Sequence, residues 1–255
     1  MGILEGRKAI VVGASSGAGY GTALRFAQEG ADVVIAARRL DRLEALKKEA
    51  EKRGFSGKMF PVSCDILKET DLDRVVKTCV EQFKGIDILA CIAQAGLFDQ
   101  RFTMDTTPDN ALEFFNGGPV YTMLMIQKCM PYFKEQNYGR IITCASGAGV
   151  SAVPGFTGYS MAKAAIVALT RLCAKEFGPY GVVTNCFLPV TKADSFDAGD
   201  QSREALEMVL KMMPVGYMGD PYEDLSPVLA FLASEGAHYL NGQFLAVDGG
   251  LSSIV

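Results

Sequence analysis

The chain has 255 residues, 49% of them hydrophobic and 21% charged, which excludes bulk disorder and suits one α/β domain spanning 1–255. With 25 Lys and Arg against 29 Asp and Glu, the net charge of −4 offers no concentrated basic surface for nucleic acid or an anionic membrane. The 7 cysteines are odd in number, lack C-x-x-C spacing and sit in apolar runs such as LACIA and IITCAS, so buried free thiols in a reducing, cytoplasmic setting are expected.

The opening MGILEGRKAIVV shows no basic region followed by a long apolar one, so no secretory signal is expected. Gly2 is a weak myristoylation cue, because Gly6 stands where that motif wants Ser or Thr. The first apolar run, Ala9–Val12, leads straight into VGASSGAGYG and an amphipathic stretch, Ala18–Gln28. Gly13, Gly17 and Gly19 therefore lie between a predicted strand and a predicted helix, the context of a dinucleotide-binding turn. Such glycines allow a tight turn, close backbone approach to a pyrophosphate and close helix packing, while the helix N-terminus faces the phosphates. Ser15, Ser16 and Ala18 fall inside the same turn and are read as cofactor-binding with it. The run Gly13–Gly17 also reads G-x-S-x-G, the nucleophile elbow of hydrolases. That reading would need His238, the single histidine, as partner, and only a dozen or so residues precede Ser15 to build an oxyanion hole.

The second run, Val33–Ala36, ends in Ala37-Arg38-Arg39 rather than in the acid that an NAD ribose wants. Two guanidiniums there suit a 2′-phosphate, so NADP(H) is the expected cofactor. A helix over Asp41–Lys52 and a strand over Lys58–Val62 follow, and then Asp65 and Ile66. Asp65 is placed to accept from an adenine amino group with Ile66 against the ring; a turn or cap role is the alternative.

A helix over Asp71–Phe83, a strand over Ile88–Ile92 and a long helical stretch over Ala111–Phe133 come next. Gly117, Gly118 and Pro119 should distort that stretch beside Asn116, and a broken helix frees backbone groups that can hold water. The uncharged segment from Ile141 to Ala162 is too rich in glycine and hydroxyl residues for a membrane span. It begins with a strand, Ile141–Cys144, and Ser146 follows where open α/β sheets bind ligands. Tyr159 and Lys163 lie one turn apart near the start of a helix over Met161–Phe177. A phenol titrates near ~10, and a neighbouring ammonium favours its ionised form, so this pair suits proton transfer. A strand over Val182–Phe187 leads to a long connection, about 189–220, which reads as a substrate-binding region with a short helix over Arg203–Met213. A helix over Glu223–Ala233 and a strand over Phe244–Val247 close the chain. The strand runs are continuously apolar and alternate with helices, the mark of a doubly wound parallel sheet.

Taken together, the glycine turn, Asp65, the set Asn116, Ser146, Tyr159 and Lys163, and the closing Val-Asp-Gly-Gly at 247–250 resemble the short-chain dehydrogenase/reductase family across the whole length. The resemblance implies a Rossmann-type fold with a seven-stranded parallel sheet and reversible transfer between a secondary alcohol and a ketone. It implies that Tyr159 is the acid/base, Ser146 orients the carbonyl, Lys163 binds the nicotinamide ribose and eases ionisation of the tyrosine, and Asn116 holds a relay water. It also implies a homodimer or homotetramer. Three positions depart from the family pattern. The family's Asn-Asn-Ala-Gly becomes Cys91–Gln94 or Ala93–Gly96 depending on register, with Ala93 or Ala95 beside the cofactor. Pro-Gly becomes Pro189-Val190, leaving Thr191 as the cofactor contact. Ala18 stands in place of a common isoleucine.

The late connection contributes Phe196, Met208, Met212, Met213, Val215, Tyr217 and Met218, which suggests a small lipophilic alcohol or ketone, such as a hydroxysteroid, as substrate. Docking of a helix onto the domain is the alternative use of Met208 and Met212. A 3-oxoacyl carrier-protein reductase is a further alternative, although the segment Ala174–Tyr180 is not markedly basic. A silent NADP(H)-binding regulator would be marked by loss of Tyr159 or Lys163, and both are present.

Overall fold

The structure is a computed structural model that describes residues 2–96, 99–192 and 210–252. Seven parallel strands form one sheet in the order β3-β2-β1-β4-β5-β6-β7. They are β1 (Lys8–Val12), β2 (Asp32–Ala37), β3 (Met59–Ser63), β4 (Ile88–Cys91), β5 (Gly139–Cys144), β6 (Val182–Pro189) and β7 (Phe244–Val247). The apolar continuity of the strands has a direct cause: both faces are covered. Ala9 and Val11 face one core while Ile10 and Val12 face the other, and Val33/Ile35 and Val34/Ala36 divide the same way.

The first core is closed by α1 (Gly17–Gln28), α2 (Leu40–Lys52) and α8 (Ser226–Ala233), which contribute Phe26, Leu43 and Leu229. The second is closed by α3 (Glu69–Phe83) and α5 (Tyr121–Gln136), which contribute Leu72, Val75, Tyr121 and Met125. Truncating any of the larger of these side chains to Ala would cost about 2–5 kcal/mol.

The long helical stretch expected over Ala111–Phe133 is three pieces: α4 (Pro108–Phe115), a π turn (Asn116–Val120) and α5. Thr107 caps α4 by accepting from the Asn110 N–H, and Pro108 fills the first turn, where its missing N–H is harmless. Pro119 explains the π turn, because it lacks the N–H that would close the α-helical bond to Phe115 O. A short helix α6 (Ala148–Ser151) and the long α7 (Thr157–Phe177) follow β5. Because α7 starts at Thr157, Tyr159 and Lys163 both lie inside it. A second π turn, Pro221–Leu225, capped by Asp220, replaces the start of the helix expected at Glu223. Of the helix expected over Arg203–Met213, residues 210–212 are helical and 203–209 lie outside the described residues, as do Phe196 and Met208.

The strand order reverses between β1 and β4, so a crevice opens at the carboxyl ends of those two strands. Every candidate site residue on β1, β2, β4 and β5 lies at or just beyond that end. At the amino end, Glu235 pairs with Arg140 of β5 at 3.2 Å and with Arg7 just before β1. Among the described residues no helix is long and apolar enough to cross a membrane.

Candidate active site

The cofactor side of the crevice is built by backbone geometry. Gly13 leaves β1 at φ +101°, a conformation that a side chain would strain. A Cβ on Gly13 would sit 2.7 Å from Ala93 N, and one on Gly19 would sit 2.1 Å from Gly13 O. The turn is therefore pressed flush between the loop after β4 and the first turn of α1. This fixes the register that the sequence left open: Ala93 is the small residue against the glycine turn. No side chain caps the first turn of α1 and no acid lies in it, so its amide groups suit an anion.

Arg39 reaches back from the end of β2 to this turn. Its Nη2 donates to Ser15 Oγ at 2.9 Å and to Ser16 Oγ at 3.1 Å. Arg38 beside it is exposed. This arrangement removes the hydrolase reading. Ser15 faces a guanidinium, whereas His238 is held through Nδ1 by Glu235 O, and Glu235 lies at the amino ends of the strands. Asp65 has the contacts of a turn residue. Its Oδ1 accepts the Leu67 N–H at 3.1 Å and its Oδ2 lies 3.8 Å from Lys68 Nζ. Ile66 is half-buried against the second core, and Thr191 bridges to Gly219 beyond β6.

The reaction side is built differently. The loop after β4 is stitched to the π turn by Ala95 N–H to Gly117 O at 3.0 Å and to the last turn of α4 by Gln94 Nε2 to Phe114 O at 3.1 Å. Gly117 and Gly118 are needed there, since a Cβ on the first would fall 2.3 Å from Ala95 Cβ and one on the second 2.7 Å from Gln94 Oε1. Asn116 opens the π turn with its side chain exposed. The carboxamide brought inside against the turn is that of Gln94, which the sequence reading did not single out. Its place in a departure from the family pattern was the available signal.

Ser146 follows β5, and its Oγ accepts the Ala148 N–H at 3.2 Å. That leaves the hydroxyl proton to be donated. Lys163 is 2% exposed, with its Nζ donating to Cys144 O at 2.8 Å. Among the described residues this is the one hydrogen bond its side chain makes. A buried ammonium with a single carbonyl partner is costly to hold, which points to function rather than packing. Its Nζ lies 5.6 Å from the centroid of the Tyr159 ring, so phenol and ammonium share one face of α7 as their spacing requires. The tyrosine ring is half-buried, edge-on to Phe114 at 6.1 Å and to Phe156 at 6.3 Å.

An apolar rim adjoins Tyr159. Phe102 is 63% exposed and approaches Gly155, and Val150, Val153 and Phe156 are exposed on the segment between β5 and α7. The late segment is mixed. Met212, Val215 and Tyr217 are exposed, but Met213 and Met218 are buried, so these two do not present surface to a ligand. Met213 and Val215 pack where a Cβ on Gly249 would be, which ties this segment to the closing Val-Asp-Gly-Gly. All seven cysteines are free and buried. Burial raises the Cys64 and Cys79 thiols to about 12 and the Cys173 and Cys186 thiols to about 11.

A family model described as enoyl-(acyl carrier protein) reductase matches residues 13–252. The chain is 31% identical over 248 residues to the 3-oxoacyl-(acyl-carrier-protein) reductase FabG of Thermotoga maritima, with 97% of this chain and 98% of that protein covered. It is 32% identical over 259 residues to a 12alpha-hydroxysteroid dehydrogenase of a Clostridium species, covering 98% of each. Among solved structures, a 7α-hydroxysteroid dehydrogenase complexed with NADH and 7-oxo glycochenodeoxycholic acid superimposes with a TM-score of 0.90 at 26% identity, over 97% of this chain and 94% of that one.

Proposed function

The chain belongs to the short-chain dehydrogenase/reductase family, and on that footing we propose that it is an NADP(H)-dependent enzyme interconverting a lipophilic secondary alcohol and its ketone. Oxidoreduction of alcohol and ketone groups with a nicotinamide cofactor is the family's activity; the choice of NADP(H) and of substrate is the proposal.

The observation that carries it is the pairing of a buried Lys163 with Tyr159 on one helix face, next to the end of β5. When bound, the nicotinamide supplies or takes up a hydride at the substrate carbon. Tyr159 gives its proton to the ketone oxygen in reduction and recovers it in oxidation. The Ser146 hydroxyl donates to the same oxygen and fixes its position. The ammonium of Lys163 has donors to spare for ribose hydroxyls. The Gly13–Gly19 turn and the first amides of α1 suit the pyrophosphate, and Ala93 provides the small wall opposite. Asn116 contributes through the π turn it opens, where displaced carbonyls can hold a relay water. Asp65, Ile66 and Thr191 are assigned to the cofactor's outer contacts.

Arg39 supports NADP(H). Its Nη2, already donating to two serine hydroxyls, brings the guanidinium to the turn, where its planar fork suits a 2′-phosphate, with the exposed Arg38 as a second cation. The apolar rim of Phe102, Val153 and Phe156 supports a lipophilic substrate, and the two hydroxysteroid dehydrogenases among the relatives point to a sterol-like one. A second reading, reduction of a 3-oxoacyl thioester, has the Thermotoga relative in its favour. We further assign the chain to the cytoplasm on its buried free thiols, and to a homodimer or homotetramer on the exposed apolar residues Met161 and Leu172 of α7.

The test follows the nicotinamide absorbance with NADPH and NADH against sterol ketones, sugars and acetoacetyl thioesters. Turnover of sterol ketones with NADPH is expected. Reduction of small polar ketones alone rejects the lipophilic assignment, thioester turnover alone moves it to the second reading, and equal use of both cofactors removes the role given to Arg39.

A further inference from the structure

We propose that Gln94 is a positioning residue for Tyr159, acting through the backbone and ring of Phe114; this rests on Tyr159 being the acid/base of the reaction above. Pro119 withholds one donor from this stretch of helix. A π turn at this place would bond Phe114 O to the N–H of residue 119, and proline has none. Phe114 O is met from outside the helix by Gln94 Nε2 at 3.1 Å, while the same nitrogen donates to Ala95 O at 2.9 Å. One carboxamide thus ties the loop after β4 to the last turn of α4.

Phe114 converts that tether into a constraint on Tyr159. Its ring is fully buried and boxed in: a Cβ on Gly158, the residue before Tyr159, would lie 2.7 Å from it, and one on Gly96 would lie 3.1 Å away. A further wall is the Tyr159 ring itself, edge-on at an interplanar angle of 73°. A shift of Phe114 therefore presses on the Tyr159 ring and on the glycine before it. The other end of the carboxamide, Oε1, is buried without a protein partner among the described residues and faces Gly118. Among the described residues Gln94 makes no hydrogen bond to the phenol or the ammonium, and its link to Tyr159 runs through Phe114.

The experiment is a double-mutant cycle on the full enzyme, with Gln94→Leu, Phe114→Leu and the pair. Each single variant is expected to lower kcat about ten-fold or more, the scale of a modest misplacement of a reacting group. KM for the ketone and Kd for NADPH should stay within about two-fold, and the double variant should be little worse than either single one. Gln94→Glu keeps the shape but removes the donor when ionised, and it should match Gln94→Leu. Unchanged kcat, multiplicative losses in the double variant, or a loss that follows the folded fraction would overturn the proposal. Should neither Gln94 variant fold, Phe114→Leu decides alone, and a normal kcat in it is again fatal. The assignment of Tyr159 is judged separately: a Tyr159→Phe enzyme with full turnover removes that reading, whereas an inert Tyr159→Phe beside fully active Gln94 variants removes only this one.

Discussion

The two sides of the β1/β4 crevice are made by opposite means. The cofactor side uses regular elements and a turn whose shape is set by small residues, with Gly13 and Gly19 pressed against backbone. The reaction side uses an irregular helix, a buried ammonium, and buried oxygens without partners at Gln94 Oε1, Asn110 Oδ1 and Ser160 Oγ. Binding a constant ligand needs a fixed mould, which backbone provides at little energetic cost. Moving a proton needs polar groups with unused capacity, and these destabilise the fold that holds them.

Substitutions on the two sides should therefore fail in different ways. The largest effect is expected at Tyr159: removing the hydroxyl in Tyr159→Phe should lower kcat by about 10²–10⁴-fold while NADPH binding, read by fluorescence, is retained. Next comes Gly13→Val, which forces a side chain into φ +101° and onto Ala93. It should cost about 1–3 kcal/mol of stability and abolish detectable cofactor binding, read by thermal melts with and without NADPH. Arg39→Ala should weaken NADPH by roughly ten-fold or more and leave NADH nearly unchanged, since a hydrogen bond to a charged group is worth about 1.5–3 kcal/mol. Lys163→Met breaks the symmetry of the comparison most usefully. Turnover should fall, yet the melting temperature should hold or rise, because a poorly paired buried charge is exchanged for an apolar chain.

The smallest effect is a pH dependence of stability from the buried thiols. Burial raises Cys64 and Cys79 from 9.0 to about 12, so the folded chain keeps protons that the unfolded chain releases. Their contribution is whole below about pH 9 and is lost as pH climbs from there toward 12, which urea melts across that range would detect. Thiol reagents at pH 8 should accordingly label the folded protein slowly and the unfolded one at once.

The cofactor side was legible because its determinants are local. A glycine spacing between a strand and a helix states its own geometry, and all seven strand runs announced themselves by apolar continuity. The reaction side was legible only where a helix period linked its parts, as for Tyr159 and Lys163. Gly117-Gly118-Pro119 signalled a distortion, but no local rule says that it is a π turn or which side chain bonds the carbonyl of Phe114 just before it. Gln94 lies 20 residues away from Phe114 and reaches it through tertiary packing alone. The late apolar residues misled in part for the same reason: composition cannot separate an exposed Met212 from a buried Met213 next to it. At Asp65 the structure shows a turn contact, Oδ1 accepting the Leu67 N–H, which a sequence pattern alone does not separate from a cofactor contact.

The central claim is that the phenol of Tyr159 moves a proton beside a nicotinamide held by the glycine turn. Its most direct test is a single-turnover measurement on native enzyme and Tyr159→Phe, both loaded with NADPH and mixed with the best ketone of the panel. The account predicts rapid loss of nicotinamide absorbance in the native enzyme and none on that timescale in a variant that still binds NADPH. Equal decay in both, or a native enzyme that binds no nicotinamide nucleotide at all, would contradict it.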